Sequence, residues 1–287
     1  MNVMAPETSG PSGGKSSQRS DWDNVSGGWR KWWPIIEKGA KPVSERLLDM
    51  AGVTAGQAVL DIATGIGEPA VSAAGRVGAE GRVAATDLSP KMLEIARERA
   101  SELGLDNISF HEMDGENVGS IDDTFDAVLC RWGLMFMPDP EAALRNVRAR
   151  MRSGGAIAAA VWGPPPEVPF LSLPIAVLKE ALDLPPPGAP GLFSLADAGR
   201  LKELFQAAGF TSIGIETIEV VFSLPSVDDY ISFLQDIASP IIALLADQPP
   251  KRRAELWREI GEAARGHADA SGGLSMPNLS LCVMATA

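Results

Sequence analysis

One short run of residues constrains this chain more than any other. Ala58-Val59-Leu60-Asp61-Ile62 is apolar and β-branched apart from Asp61, and leads directly into Ala63-Thr64-Gly65-Ile66-Gly67-Glu68-Pro69-Ala70. The first part reads as a buried strand. The glycines mark a tight turn, and Val71, Ala73 and Ala74 continue as a helix. A strand that ends in such a turn and opens a helix brings backbone amides close to a ligand at the helix N-terminus. Gly65-x-Gly67-x-x-Ala70 also satisfies the dinucleotide fingerprint, so the glycines alone leave the nucleotide open.

Beyond this turn, strand and helix alternate. Strands are expected over Arg82–Asp87, Ile108–Met113, Phe125–Cys130 and Ala156–Val161. Ser89 followed by Pro90 caps a helix whose buried face is Met92, Leu93, Ala96, Ala100 and Leu103. Asp139-Pro140 starts the next helix. Strict alternation predicts a parallel sheet wound on both faces. The pattern breaks at 163–196, which is rich in proline around an apolar segment from Phe170 to Leu184. An irregular insert beside a sheet edge suits a lid or substrate wall. Ser194 is expected to cap a helix through Leu201, Leu204 and Phe205; Thr211–Phe222 and Leu279–Met284 read as the last strands. Between those two strands, 226–266 reads as a helical insert opened by the capping box Ser226-x-x-Asp229.

Ahead of the turn, residues 1–20 are rich in Ser, Gly and Pro and are expected to be a disordered tail. Four of the seven tryptophans, Trp22, Trp29, Trp32 and Trp33, follow within twelve residues. Helical spacing there, and a second helix over Pro42–Met50, predict a helical cap over 21–56. The division expected is therefore the tail 1–20, the cap 21–56, a cofactor-binding core over 57–162, the Pro-rich insert 163–196, and 197–287 completing the sheet.

A net charge of −12 with no extended basic run argues against nucleic acid as a partner. Only Cys130 and Cys282 are present, with neither CxxC spacing nor a zinc-like cluster, so no metal is expected. No secretory signal and no apolar run of about 20 residues is found, so a soluble cytoplasmic protein without a membrane span is expected.

Acidic residues stand at the ends of three strands, where open α/β sheets bind ligands: Asp61, Asp87 and Asp114. Asp87 lies 20 residues after Gly67, a spacing suited to ribose hydroxyls. Asp61, just ahead of the turn, would repel a pyrophosphate and favour an ammonium or sulfonium. No Arg or Lys sits in the turn to hold phosphate. These residues point to a cationic nucleoside.

Four stretches, Val59–Gly67, Ala85–Ser89, Met113–Glu116 and Phe125–Cys130, taken in order, resemble the motifs of class I S-adenosylmethionine-dependent methyltransferases, and in particular the group that includes the ubiquinone/menaquinone-biosynthesis methyltransferases. The resemblance is firm over about 40–162 and looser beyond. It implies a Rossmann-like, doubly wound, seven-stranded sheet in three αβα layers, with an antiparallel last strand and inserts forming a lid. Carried over position by position, it implies that Ala63, Thr64, Gly65 and Gly67 approach the methionine portion of the cofactor and that Asp61 orients its amino group. Asp87 would take the ribose hydroxyls beside Leu88 and Met92. Asp114 and Gly115 would read the adenine edge, and the carbonyls of Cys130 and Arg131 would meet the amino group. The sequence departs from the common pattern at Ala63-Thr64, where many members have glycine, and at Gly115, where alanine is usual.

Methyl transfer chiefly requires the nucleophile to be aligned with an already activated methyl carbon, so a dedicated base is optional. His267, ahead of the last strand, is the candidate; His111 sits inside a strand and reads as structural. Trp32, Trp33 and Trp132 are candidates for the substrate pocket. The function expected is transfer of a methyl group from S-adenosylmethionine to a small hydrophobic acceptor at oxygen, carbon or nitrogen, leaving S-adenosylhomocysteine, by a monomer or homodimer. An NAD-dependent oxidoreductase and a non-catalytic cofactor-binding protein are the alternatives.

Overall fold

A computed structural model describes residues 15–183 and 190–287. Seven strands form one sheet: β1 Ala58–Ile62, β2 Arg82–Asp87, β3 Ile108–Glu112, β4 Phe125–Arg131, β5 Met151–Trp162, β6 Thr211–Leu224 and β7 Leu274–Thr286, in the order β3-β2-β1-β4-β5-β7-β6. β7 runs antiparallel to both β5 and β6, and the other pairings are parallel. All five residues of β1 are buried, as expected for a central strand covered on both faces. Strand order reverses between β1 and β4, so a crevice opens at the C-terminal ends of those two strands.

Helices α2 Ala70–Val77 and α3 Pro90–Glu102 follow β1 and β2, and α4 Pro140–Arg148 follows β4. Ser89 Oγ accepts the Met92 amide at 3.1 Å with Pro90 in the first turn, the start that the sequence predicts. The insert contains α5 Pro169–Leu182 and leads to α6 Ala198–Ala207. Asp197, not Ser194, caps α6 by accepting the Arg200 amide at 2.7 Å. Ser194 instead donates to the Met135 carbonyl at 2.8 Å and ties the insert to the loop after β4. The triple proline Pro185–Pro187 lies outside the described residues. Between β6 and β7 stand α7 Val227–Ile237, α8 Ser239–Ala246 and α9 Pro250–Ala264. Ser226 caps α7 as its motif predicts, accepting the Asp229 amide at 3.1 Å. Among the described residues no single helix is long and apolar enough to cross a membrane; α7 and α8 reach that composition only together, across an 85° bend.

The N-terminal segment differs from expectation. One helix, α1 Lys15–Met50, replaces two, and it starts inside the stretch read as disordered tail; residues 1–14 lie outside the description. Proline in a helix interior removes a hydrogen bond and costs about 3 kcal/mol, yet α1 passes through Pro34 and Pro42. Burial of Trp32, Ile36, Val43, Leu47 and Leu48 offsets that cost. Side chains of the first turns find tertiary partners that composition cannot reveal: Lys15 with Asp114 and Glu116, Gln18 with the Phe136 carbonyl, Arg19 with Glu112. Gly39 lets α1 press onto β6, since a Cβ there would come within 2.7 Å of Phe222 and the Val221 carbonyl. The result is a helix whose second half packs on the sheet and whose first half reaches α3 and the sheet's C-terminal edge.

Candidate active site

Asp61, one residue before the end of β1, is fully buried. Its Oδ2 accepts the Ala70 amide at 3.0 Å, at the first turn of α2. Burial pushes the carboxyl up to about 7, against the pull of the Thr64 hydroxyl, the Arg131 charge and that amide. Oδ1 and Thr64 Oγ1 are near enough for the hydroxyl to act on the carboxyl, yet neither makes an aligned hydrogen bond.

The turn itself is bent into unusual backbone conformations. Ala63 has φ 56°, and Trp132, at the end of neighbouring β4, has φ 57°. Left-handed non-glycine residues concentrate where function fixes the chain. The two turns stand back to back: a Cβ on Gly133 would lie 2.5 Å from that of Ala63. Gly67, at φ 108°, allows α3 to close on the turn, with the Ala96 Cβ 3.3 Å from where its own Cβ would stand.

Asp87 ends β2 with both oxygens engaged by backbone: Oδ2 accepts the Gly65 amide at 2.8 Å and Oδ1 the Ser89 amide at 2.9 Å. It thereby joins the glycine turn to the start of α3. Burial raises it to about 6 despite those amides. Each carboxylate oxygen keeps a further lone pair for a ligand hydroxyl. Asp114 precedes a 3₁₀ turn over Gly115–Ser120; its Oδ1 accepts the Glu116 amide at 3.0 Å, while Oδ2 has the Lys15 ammonium beside it without an aligned hydrogen bond. Met92 is buried in a small cluster with Val25, Ile66 and Ile95, against which Trp22, Trp29 and Trp33 pack. Leu88 precedes the Ser89 cap and is only partly buried.

Among the described residues, buried side-chain polar atoms without a hydrogen-bond partner are Asp61 Oδ1, Thr64 Oγ1, Asp114 Oδ2, Glu37 Oε2 and Trp29 Nε1. Native structures leave few such groups unpaired. Here three stand at the C-terminal ends of the strands and two on the helix that crosses above them. The three aspartates, the orphan acceptors and the left-handed turns together suit a ligand with cationic and hydroxyl groups.

Cys130 is buried and its thiol is pushed up to about 12, which leaves its backbone, the part the sequence singles out, for a ligand. The three tryptophans expected in one pocket diverge. Trp32 Nε1 donates to Asp236 at 2.7 Å and its ring meets Phe233 on α7. Trp33 lies over the Arg99 guanidinium at 3.7 Å. Trp132 stacks on Trp162 with centroids 4.3 Å apart, its Nε1 donating to Ser280 at 3.0 Å. His267 is exposed in a 3₁₀ turn ahead of β7, three strands across the sheet from β1.

Other residues at this edge escaped the sequence reading. Arg131 brings its side chain as well as its carbonyl: the guanidinium is buried, donates to Ser44 Oγ at 2.7 Å and stands 4.0 Å from Glu37 Oε2. Arg99 reaches in from α3 to the Ile66 carbonyl and pairs with Glu68 at 3.4 Å. Asp23 on α1 accepts from Ser89 Oγ at 2.5 Å. Glu68 lay in plain view inside the glycine motif; the others come from elements whose approach depends on tertiary packing.

Comparison with known proteins agrees with this geometry. A profile of the methyltransferase-domain family matches residues 59–155. Aklanonic acid methyltransferase DauC of Streptomyces sp. (strain C5) is 39% identical over 117 residues, 41% of this chain and 53% of that protein. The ubiquinone/menaquinone biosynthesis C-methyltransferase UbiE of Idiomarina loihiensis is 34% identical over 111 residues, 38% and 44% of the two chains. The chain thus spans about half the length of the curated relatives it matches. In fold it is similar to phosphoethanolamine N-methyltransferase 2 of Haemonchus contortus, solved with S-adenosylmethionine, with TM-score 0.56, 19% identity, and coverage of 93% of this chain and 59% of that one.

Proposed function

We propose that the chain, whose residues 59–155 match the methyltransferase-domain family, transfers the methyl group of S-adenosylmethionine to a small, largely apolar acceptor. The observation that supports this best is the set of buried oxygens without an aligned hydrogen bond, Asp61 Oδ1, Thr64 Oγ1 and Asp114 Oδ2, the last ion-paired with Lys15, along the crevice where strand order reverses. In this reading Asp61, the turn Ala63–Gly67 and the carbonyls of Cys130 and Arg131 hold the amino-acid end. Asp87 takes the ribose hydroxyls, beside Leu88 and Met92, and Asp114 with Gly115 meets the adenine edge. Bound there, the sulfonium supplies a methyl carbon that needs no further activation. The protein's contribution is to fix the donor, exclude water and align the acceptor.

A pyrophosphate fits poorly. Asp61 and Glu68 are buried at the turn and would repel it, and Arg99, which touches the turn's backbone, is already engaged by Glu68 and the Ile66 carbonyl. Trp132, stacked on Trp162, offers the acceptor an aromatic wall beside β4. His267, exposed ahead of β7 and three strands from β1, is poorly placed to take a proton from an acceptor at this edge.

Isothermal calorimetry on the full chain tests the reading. Saturable micromolar binding of S-adenosylhomocysteine, with no heat from NAD, is expected. Binding of NAD alone would overturn it.

A further inference from the structure

Arg131 and Glu37 form a second incomplete constellation beside this crevice. Asp61 pairs in register with Leu129 of β4, so Arg131, two residues further on, points to the same face of the sheet as Asp61, at its C-terminal edge. Its side chain is 6% exposed. Of its five donors, Nη1 alone makes a hydrogen bond among the described residues, to Ser44 Oγ. Opposite it on α1, Glu37 Oε2 is buried and has no hydrogen-bond partner. The two are 4.0 Å apart, too far for a hydrogen bond and the right separation for one polar atom to bridge. Arg131 faces the charges of Glu68, Glu37 and Asp61 without an aligned hydrogen bond to any of them, and ionic groups taken out of water gain from each further hydrogen bond that completes them.

The completing group must accept from Arg131 and donate to Glu37. An ammonium fails beside the guanidinium, and an apolar carbon leaves both charges unmet. We propose that this gap receives an acidic hydroxyl of the methyl acceptor, a phenol or enol, with Glu37 taking its proton and Arg131 holding the oxygen. The proposal rests on the methyltransferase reading above and supplies what that reading lacks, the chemical class of the acceptor. In the reaction the O–H proton passes to the Glu37 carboxylate. An oxygen lone pair forms the O–CH3 bond as the S–CH3 bond breaks, and that bonding pair stays on sulfur. The proton then leaves Glu37 to solvent through the 24% of its side chain that is exposed.

The charged groups around Glu37 suit this role. Burial holds its carboxyl above the usual range, and Glu68 in the turn adds to that; Arg131 of β4, Arg99 of α3 and Lys41 of α1 oppose it. A carboxylate raised above its ordinary value accepts a proton more readily.

The probe is 4-nitrophenol, whose absorption distinguishes phenol from phenolate, titrated into the S-adenosylhomocysteine-loaded full chain below its solution pKa. Saturable binding with appearance of the phenolate band is expected. Glu37→Gln, which is nearly isosteric, and Arg131→Met should each cut the bound phenolate about tenfold, the scale of one charge-assisted hydrogen bond. Absence of saturable binding, or equal spectra in all three proteins, overturns the proposal. Calorimetry with S-adenosylhomocysteine and with 5′-methylthioadenosine, which lacks the carboxylate, runs alongside. If Arg131→Met loses the first ligand and keeps the second, Arg131 serves the cofactor and the acceptor assignment falls. Failure of the wild-type chain to bind S-adenosylhomocysteine would instead remove the underlying reading.

Discussion

Asp61 and Asp87 carry the electrostatics of the proposed site at the scale of single residues. Both are buried, and both are raised, to about 7 and about 6, mainly by burial. The ordinary value is 3.8, so the folded chain binds more protons than the unfolded one between that value and about 7. Stability from these two groups therefore falls as pH rises through that window. A ligand that needs both carboxylates ionised should show the opposite trend. Affinity for S-adenosylhomocysteine is expected to fall as pH drops below about 7, approaching tenfold per unit for each group, with proton release on binding. Calorimetry in buffers of different ionisation enthalpy measures that release; a flat profile would contradict it. Asp61→Asn should raise the stability of the unliganded protein by about 1–3 kcal/mol at neutral pH while weakening cofactor binding. A thermal melt paired with a titration tests both halves. Asp87→Ala should cost about 2 kcal/mol or more of affinity, because it removes the proposed ribose acceptor and frees the Gly65 amide. All three acidic positions were legible in the sequence because strand ends and spacing fix them locally. Arg131 was legible only as a backbone, since the partner of its guanidinium is Ser44, 87 residues away.

At the scale of elements, α1 departs from expectation, and the insert is fastened to the sheet. The segment 163–196 reads from its prolines as a lid or substrate wall, and its helix α5 is pinned at its start. Asn278 Oδ1 accepts the Phe170 amide at 3.0 Å and Tyr230 donates to the Phe170 carbonyl at 2.6 Å. Asn278 also donates to the Val220 and Met276 carbonyls. Asn278→Ala should therefore destabilise the fold by about 2–4 kcal/mol, read as a lower denaturation midpoint; a loss under about 1 kcal/mol would deny it this fastening role. The first half of α1 instead lies across the edge, with Lys15 at Asp114 and Asp23 at Ser89. If adenine is to take Asp114, Lys15 must give way. Lys15→Glu is expected to speed cofactor association severalfold, followed by the fluorescence of Trp22 and Trp29 in stopped flow; an unchanged rate would show that α1 does not compete there. Tryptophan spacing announced a helix, yet neither its start at Lys15 nor its passage through two prolines follows from local propensity. Both depend on what the helix packs against.

For the whole molecule, the order β3-β2-β1-β4-β5-β7-β6 sets one reversal, and the unsatisfied polar atoms gather at that edge. Alternation of strand and helix made the parallel core legible, because each βαβ unit carries its own pattern. The pairing of the last strands is a long-range event and was legible only through the resemblance. The divergence of Trp32, Trp33 and Trp132 was not legible at all. It turns on contacts with Phe233 and Asp236 of α7, with Arg99 of α3 and with Trp162 of β5, rather than on spacing along the chain.

The most direct test of the central claim is a crystal structure of the full chain with S-adenosylhomocysteine. The amino-acid end is expected between the Ala63–Gly67 turn and the end of β4, the ribose on Asp87 and the adenine beside Asp114. A ligand bound elsewhere, or seated with no contact to Asp87, would contradict the account.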